Sequence, residues 1–466
     1  MKTRLLAWWD DLRSSYWFIP AVMTVSAIIL SFASTAFDQM IGQDWVEGFG
    51  WVYANKPEGA RAFLSTIAGS MIGVAGVTFS ITIAAVVYAT SQFGPRLLTN
   101  FMRDTGNQVT LGAFIATFIY CLMVLRTVRS ADEPVGDLPE GAELFTGFVP
   151  HFSILLAIGF VLLSVAVLIY FIHHIPDSVH ASNVTAGVGR ELKNKIADFY
   201  PAREEKDAIL PMDDAPFERP DAPARLAAKS AGYLQFLSVS SLIETARARD
   251  AVIELRFRPG DFVTPGHALV RVWPAEALDE DMESSIRSAF SFGRKRTQGQ
   301  DPIFLANELV EIAGRALSPG INDPFTAISC MDWLANALGE LAQRRAVSER
   351  RLDDDGDLRV ILSTPDFEEF CEVAWGQLRP YVQSDRNAAL HMMALLAAAS
   401  EVTPARADRE ILARHAGALN DGATESLDAR SAAAVAERYG VAVSLLETPS
   451  GFDDAVAKHR WLSGRG

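Results

Sequence analysis

Cysteine is scarce in this chain: three in 466 residues, Cys121, Cys330 and Cys371, with no C-x-x-C pair. That excludes a disulfide framework and a cysteine zinc site, and it suits a soluble part in a reducing compartment. Positive charge is in deficit, with 42 Lys and Arg against 57 Asp and Glu and a net charge of −15. A nucleic-acid partner therefore has no electrostatic support. Nucleophile elbows, Walker A loops, H-E-x-x-H, G-x-G-x-x-G and paired catalytic acids are all missing. The expectation is a protein that is not an enzyme and holds no cofactor and no metal. Charge of either sign is missing from one long stretch, Ala62 to Pro95. As a helix it would measure about 50 Å, against about 30 Å for a bilayer's hydrocarbon core.

What is present is largely apolar. Hydrophobic residues make up 49% of the chain and charged ones 21%, with a mean hydropathy of +0.14. The first figure is high for a water-soluble enzyme and the second is high for membrane spans alone. A membrane part joined to a soluble part fits both. Four apolar segments, about residues 17–37, 62–93, 109–128 and 148–172, are each long enough to cross a bilayer. The opening "MKTRLLAWWDDLRSSYWFIPAVM" has basic residues before an apolar run but no small-residue cleavage site. It predicts an uncleaved first span. Trp8, Trp9, Tyr16 and Trp17 fall where an aromatic belt would lie. Lys2, Arg4 and Arg13 precede the first span, Arg96 and Arg103 follow the second, and Arg190, Lys193 and Lys195 follow the fourth. The loop "ADEPVGDLPEGAE" after the third is acidic instead. This bias predicts that both termini lie in the cytoplasm.

The expected fold class is a mainly α membrane protein. Residues 1–175 form a transmembrane domain of four helices, and 176–224 form a connecting helix, bent at Pro176, with a Pro-rich linker. A cytoplasmic α+β domain follows, with a small β-barrel-like module at 225–295 and a helical C-terminal part at 296–466. In "AVIELRFRPGDFVTPGHALVRVWP", Ile253, Leu255 and Phe257 alternate with Glu254, Arg256 and Arg258, as in a half-buried strand. Pro259-Gly260-Asp261 turns the chain into a second extended run ending near Trp273. The G-D-F-V-x-x-G-x-x-L spacing is similar to half of a lipoyl- or biotinyl-type barrel. No lysine lies between Ser230 and Arg294, so a structural barrel is expected rather than a carrier. Asp301-Pro302 and Asp323-Pro324 each set a capping acid before a proline suited to the first helical position.

Two stretches, "VTFSITIAAVVYATSQFGPRLL" at 77–98 and "QDPIFLANELVEIAGRALSPGINDPFTAI" at 300–328, carry a resemblance. With the four spans and the large C-terminal half, the chain resembles a bacterial family of predicted inner-membrane proteins of unknown function. The resemblance covers nearly the whole sequence. It implies a bacterial inner-membrane location and the topology above, and no activity, cofactor or substrate.

The second span holds the leading candidates. Gly69, Gly73, Gly76, Ser80 and Ala84 recur at steps of four, three, four and four, and so share one helical face. Small residues on one stripe let helix backbones approach closely in lipid. The face serves either packing within the chain or a subunit interface or pore. In the second case Thr66, Ser70, Thr78, Thr82, Thr90 and Ser91 offer hydroxyls, and Arg96 stands at the mouth. A helix this long must tilt or project beyond the interface, and Gly94-Pro95 ends it. The absence of acids and bases well inside any span argues against an ion-coupled carrier.

Other candidates lie beyond the spans. His173, His174 and His180 form a candidate pH switch. With Asp177 alone as a neighbouring carboxylate they do not compose a metal site. "RALSPGINDPFT" reads as a helix hairpin, or as an anion or small-molecule site formed by Arg315, Ser318, Asn322 and Asp323. "RRLDDDGDLR" fails as a calcium loop, because the first and last ligands would be Arg351 and Leu362, and reads as an acidic loop. Arg294-Lys295-Arg296 is a candidate headgroup patch. The expected function is a homo-oligomeric inner-membrane channel-like protein, its second span lining the axis and its cytoplasmic domain regulatory. The alternative is a membrane-anchored sensor or scaffold whose cytoplasmic domain binds a small molecule or a protein. Expected partners are the lipid bilayer, further copies of the chain, and a small ion or small-molecule ligand.

Overall fold

The computed structural model describes residues 15–41, 56–94, 104–130, 147–202 and 222–463. Two compact units emerge, one built mainly from residues before 181 and one mainly from those after. The first holds helices α1 (Phe18–Ile41), α2 (Pro57–Phe93), α3 (Thr105–Leu125) and α4 (His151–Ser178). All four are long and apolar enough to cross a membrane. They coincide with the four expected segments, with ends displaced by a few residues.

The displaced ends have local causes. Helix α1 runs past Asp38 because that acid points inward: it is 4% exposed. Its carboxylate accepts from the backbone N–H groups of Phe152 at 2.8 Å and Ser153 at 3.0 Å, and from the Ser153 hydroxyl at 2.7 Å. It thus caps α4, whose own N-cap is Pro150 and makes no side-chain bond. At the other end, α4 continues through Pro176 to Ser178. Gly94 takes φ +112°, a conformation glycine adopts readily, and ends α2.

The core of this unit draws on all four helices, with Ala27 of α1, Leu64 and Met71 of α2, Phe114 and Tyr120 of α3, and Ala157 of α4. Helices α1 and α3 approach closely at Gly112. A Cβ there would lie 2.5 Å from Met23 Sδ and 3.2 Å from Pro20 Cα.

The second unit begins with α5 (Ala181–Phe199), which packs on α8 (Pro302–Ala316) and α9 (Pro324–Ala342). Between them run β1 (Ala224–Ala227), β2 (Gly232–Leu237), α6 (Val239–Arg247), β3 (Val252–Leu255), β4 (Phe262–Val263), β5 (Ala268–Trp273), α7 (Glu280–Ser288) and β6 (Phe290–Gly293). After α9 come β7 (Arg350–Leu352), β8 (Leu358–Ile361), and helices α10 (Arg386–Val402), α11 (Arg406–Ser426) and α12 (Ala429–Glu447), which pack on one another.

The strands form two sheets, β1-β5-β3-β8-β7 and β4-β2-β6, and neither closes into a barrel. That corrects the barrel-like reading. The strands of the "AVIELRFRPGDFV" stretch part company, β3 pairing with β5 and β8 while β4 pairs with β2. The larger sheet is completed by β7 and β8, which lie in the C-terminal part expected to be mainly helical, β8 within its short extended run "LRVILST" at 358–364. Leu234, Ile253, Val263, Val272, Ile286 and Val360 fill the core around these strands. The acidic stretch is the turn of the β7–β8 hairpin. Gly356 sits at φ +89°, and Asp353 accepts from the N–H groups of Asp355 at 3.1 Å and Asp357 at 2.9 Å.

Candidate functional site

Helix α2 is 37 residues long, about 55 Å at 1.5 Å per residue. It has two contrasting faces. Leu64, Ile67, Ala68, Met71, Ala75, Thr78, Thr82, Val86 and Ala89 are buried. Gly69, Gly73, Gly76, Ser80 and Ala84 are all exposed, on the opposite side. A Cβ added at Gly69, Gly73 or Gly76 would meet nothing within 4 Å. Packing among the described residues of the protomer therefore does not use this stripe. Thr78 and Thr82, grouped with the stripe on sequence grounds, lie on the buried face at 3% and 2% exposure. They do not share a surface with the glycines. Arg96, Trp8 and Trp9 lie outside the described residues, as do the acidic loop after α3 and most of the Pro-rich linker.

Five hydroxyls along α2 turn back on their own helix, while Thr90 Oγ1 is buried without a hydrogen-bond partner among the described residues. Thr66 donates to Ala62 O at 2.7 Å, Ser70 to Thr66 O at 2.8 Å and Ser80 to Gly76 O at 2.9 Å. Thr82 donates to Thr78 O at 3.0 Å and Ser91 to Tyr88 O at 2.7 Å. Each of these donated protons is satisfied, which lets a hydroxyl sit against apolar surroundings at little cost. Each oxygen keeps acceptor capacity.

The three histidines do not converge. His173 is open to solvent and lies 3.5 Å from Asp177. The His180 backbone N–H donates to Asp177 O. His174 faces inward, its Nε2 2.9 Å from a carboxylate oxygen of Asp104. Asp104 is also the N-cap of α3, accepting from Asn107 N at 3.0 Å, and Tyr170 stacks on the His174 ring with centroids 5.0 Å apart. Sequence reasoning had not paired Asp104 with His174, nor given Asp38 a role. Both acids sit just beyond an apolar run. Their one legible signal is position: Asp104 begins an Asp-Thr-Gly-Asn start suited to a helix cap, and Asp38 follows Ser31, Ser34 and Thr35 on one buried stripe of α1.

The hairpin between α8 and α9 is closed by its own groups. Asp323 accepts from Thr326 N at 3.2 Å and Thr326 Oγ1 at 2.5 Å. Asn322, at φ +52°, and Ser318 shape the turn, the Ser318 hydroxyl donating to Arg315 O at 2.6 Å. Arg315 lies 3.6 Å from Glu311. The start of α9, where an anion site was the alternative to a plain helix hairpin, already holds a carboxylate of the chain. Arg296 of the basic triplet pairs with the buried Asp301 at 2.6 Å. The Asp301 carboxyl is pushed up by burial, an effect the Arg296 charge opposes.

A family described as predicted membrane protein (DUF2254) matches residues 13–398. An uncharacterized protein of Mycobacterium bovis is 30% identical over 416 residues, covering 87% of this chain and 76% of the relative. An uncharacterized protein of Mycobacterium tuberculosis H37Rv matches with the same identity and coverage. No solved structure matches.

Proposed function

We propose that this chain, which belongs to the DUF2254 family of predicted membrane proteins, assembles into a homo-oligomeric channel-like protein of the bacterial inner membrane. Helix α2 faces the symmetry axis, and the C-terminal unit is cytoplasmic and regulatory. The supporting observation is the exposed face of α2, where three glycines, a serine and an alanine are not covered by the other described residues of the protomer. Lipid tails are as apolar as leucine, so spans associate through close packing rather than hydrophobicity, and small residues permit the closest approach. Against lipid the stripe gains nothing. Against its own copies it brings backbones together, and it sets the acceptor oxygens of Ser70 and Ser80 beside an uncharged path.

Recordings of the purified full-length protein in planar bilayers test this reading. Discrete conductance steps are expected, with their amplitude altered by Gly73→Leu and by Ser80→Leu. A monomeric, electrically silent protein refutes it. A second reading, a membrane-anchored sensor or scaffold, draws support from a cavity in the C-terminal unit, and would show ligand binding without conductance.

A further inference from the structure

The C-terminal unit contains a cavity of about 250 Å³ where the ends of α5 and β2, the approach to α8 and the β7–β8 hairpin converge. Its wall is mostly carbon, from Phe199, Leu237, Val239, Pro302 and Leu362. Two arginines, Arg258 and Arg351, also line it, and their charge balance differs. Arg258 is ion-paired with Glu369. Arg351 is half-buried and donates to backbone carbonyls of Ser348 and Arg350. No carboxylate among the described residues lies within ion-pair reach of it. Glu349, two residues back, is exposed and adds a favourable field without a contact. Burial pushes the Arg351 guanidinium down from its ordinary value.

Of the neighbouring polar side chains, those of Gln300 and Thr364 are already engaged, and Ser363 is exposed. Both ends of the Gln300 amide are tied to Leu237, Nε2 donating to its carbonyl at 3.2 Å and Oε1 accepting from its N–H at 2.8 Å. The Thr364 hydroxyl donates to Val347 O at 3.3 Å. Recognition of a charged head therefore falls to Arg351, and the rest of the space suits carbon. A half-buried cation without a counter-ion is unfavourable, and an anion with planar or tetrahedral oxygens matches the guanidinium fork.

We propose that this cavity binds a small organic anion, its carboxylate or phosphate held by Arg351 and a short apolar body lying against Phe199, Leu237 and Val239. The volume lies below the roughly 300–1,000 Å³ of drug-sized pockets, so the body is short. An inorganic ion would leave the carbon walls unused. Binding here does not depend on whether the spans conduct.

Titration calorimetry on the full-length protein in lipid nanodiscs, with empty nanodiscs as blank, tests it using hexanoate, hexyl phosphate and hexanol. At least one anion should bind about tenfold or more tightly than the alcohol, since a hydrogen bond to a charged group is worth more than a neutral one. Which anion wins identifies the head. Arg351→Gln should weaken the anion about tenfold or more while leaving the thermal midpoint of the unliganded protein unchanged or higher. Val347→Phe, which intrudes from the wall and spares the charge, should weaken both anion and alcohol. Equal binding of alcohol and anion, unchanged anion affinity in Arg351→Gln, or no heat from either anion at millimolar concentration overturns the proposal.

Discussion

Arg359 is the side chain on which the β7–β8 hairpin turns. It is 8% exposed, and its guanidinium reaches Asp353 at 2.6 Å, Asp250 at 2.7 Å and Asp357 at 3.2 Å. Its hydrogen bond holds the Asp353 carboxyl below the ordinary aspartate value. A carboxyl whose folded value is depressed stabilises the fold above its unfolded value, about pH 4, and that contribution is lost as pH falls through the folded value. Arg359→Met should therefore lower the thermal midpoint at neutral pH and flatten its decline below about pH 4. Midpoint curves that superpose on the wild type from neutral pH down to acid would refute this. Read along the chain, "RRLDDDGDLR" shows acids and a turn glycine. That an arginine from the same stretch folds under the turn to gather two of those acids together with the distant Asp250 depends on a strand pairing no local pattern reveals.

The cysteines allow a second test. Cys121, Cys330 and Cys371 are each 0% exposed, and burial pushes the Cys330 and Cys371 thiols above their ordinary value. A thiol reagent should label none in the native protein and all three after unfolding in SDS. Rapid native labelling would contradict the packing.

Among the helices, glycines that look alike in sequence differ in what surrounds them. Gly189 of α5 lies against Trp333 of α9, where an added Cβ would stand 2.5 Å from the indole. Gly189→Ala should destabilise the protein by about 1–3 kcal/mol, as overpacking typically does, and thermal-shift measurement would show it. Gly73→Ala meets open space in the protomer and should leave the midpoint of the monomer unchanged or slightly raised. A drop in Gly73→Ala as large as that in Gly189→Ala would show that the α2 stripe is covered after all. The number of spans was legible because a long uncharged run admits little else in a bilayer. Their ends were not, since an acid such as Asp38 closes an apolar run in the sequence yet continues the helix when it caps a neighbour. The stripe on α2 was legible as a face, but not the direction of that face. Periodicity groups residues without saying what stands opposite, and grouping by hydroxyl chemistry drew in Thr78 and Thr82, which sit on the far side.

For the molecule as a whole, strand pairing was the least legible feature. The β-rich module was visible, yet β3 finds β8 across the intervening helices α8 and α9, and that contact leaves no trace in local spacing. The proposed assembly is the next level, and it rests on α2. With the native thiols buried, single cysteines can report which face of α2 meets another copy. In native membranes treated with a mild oxidant, Gly73→Cys and Gly76→Cys should yield disulfide-linked dimers on non-reducing gels, while Thr78→Cys on the buried face stays monomeric. Gly73→Cys and Gly76→Cys cross-linking no more than Thr78→Cys would show that copies of this chain do not meet along the small-residue face.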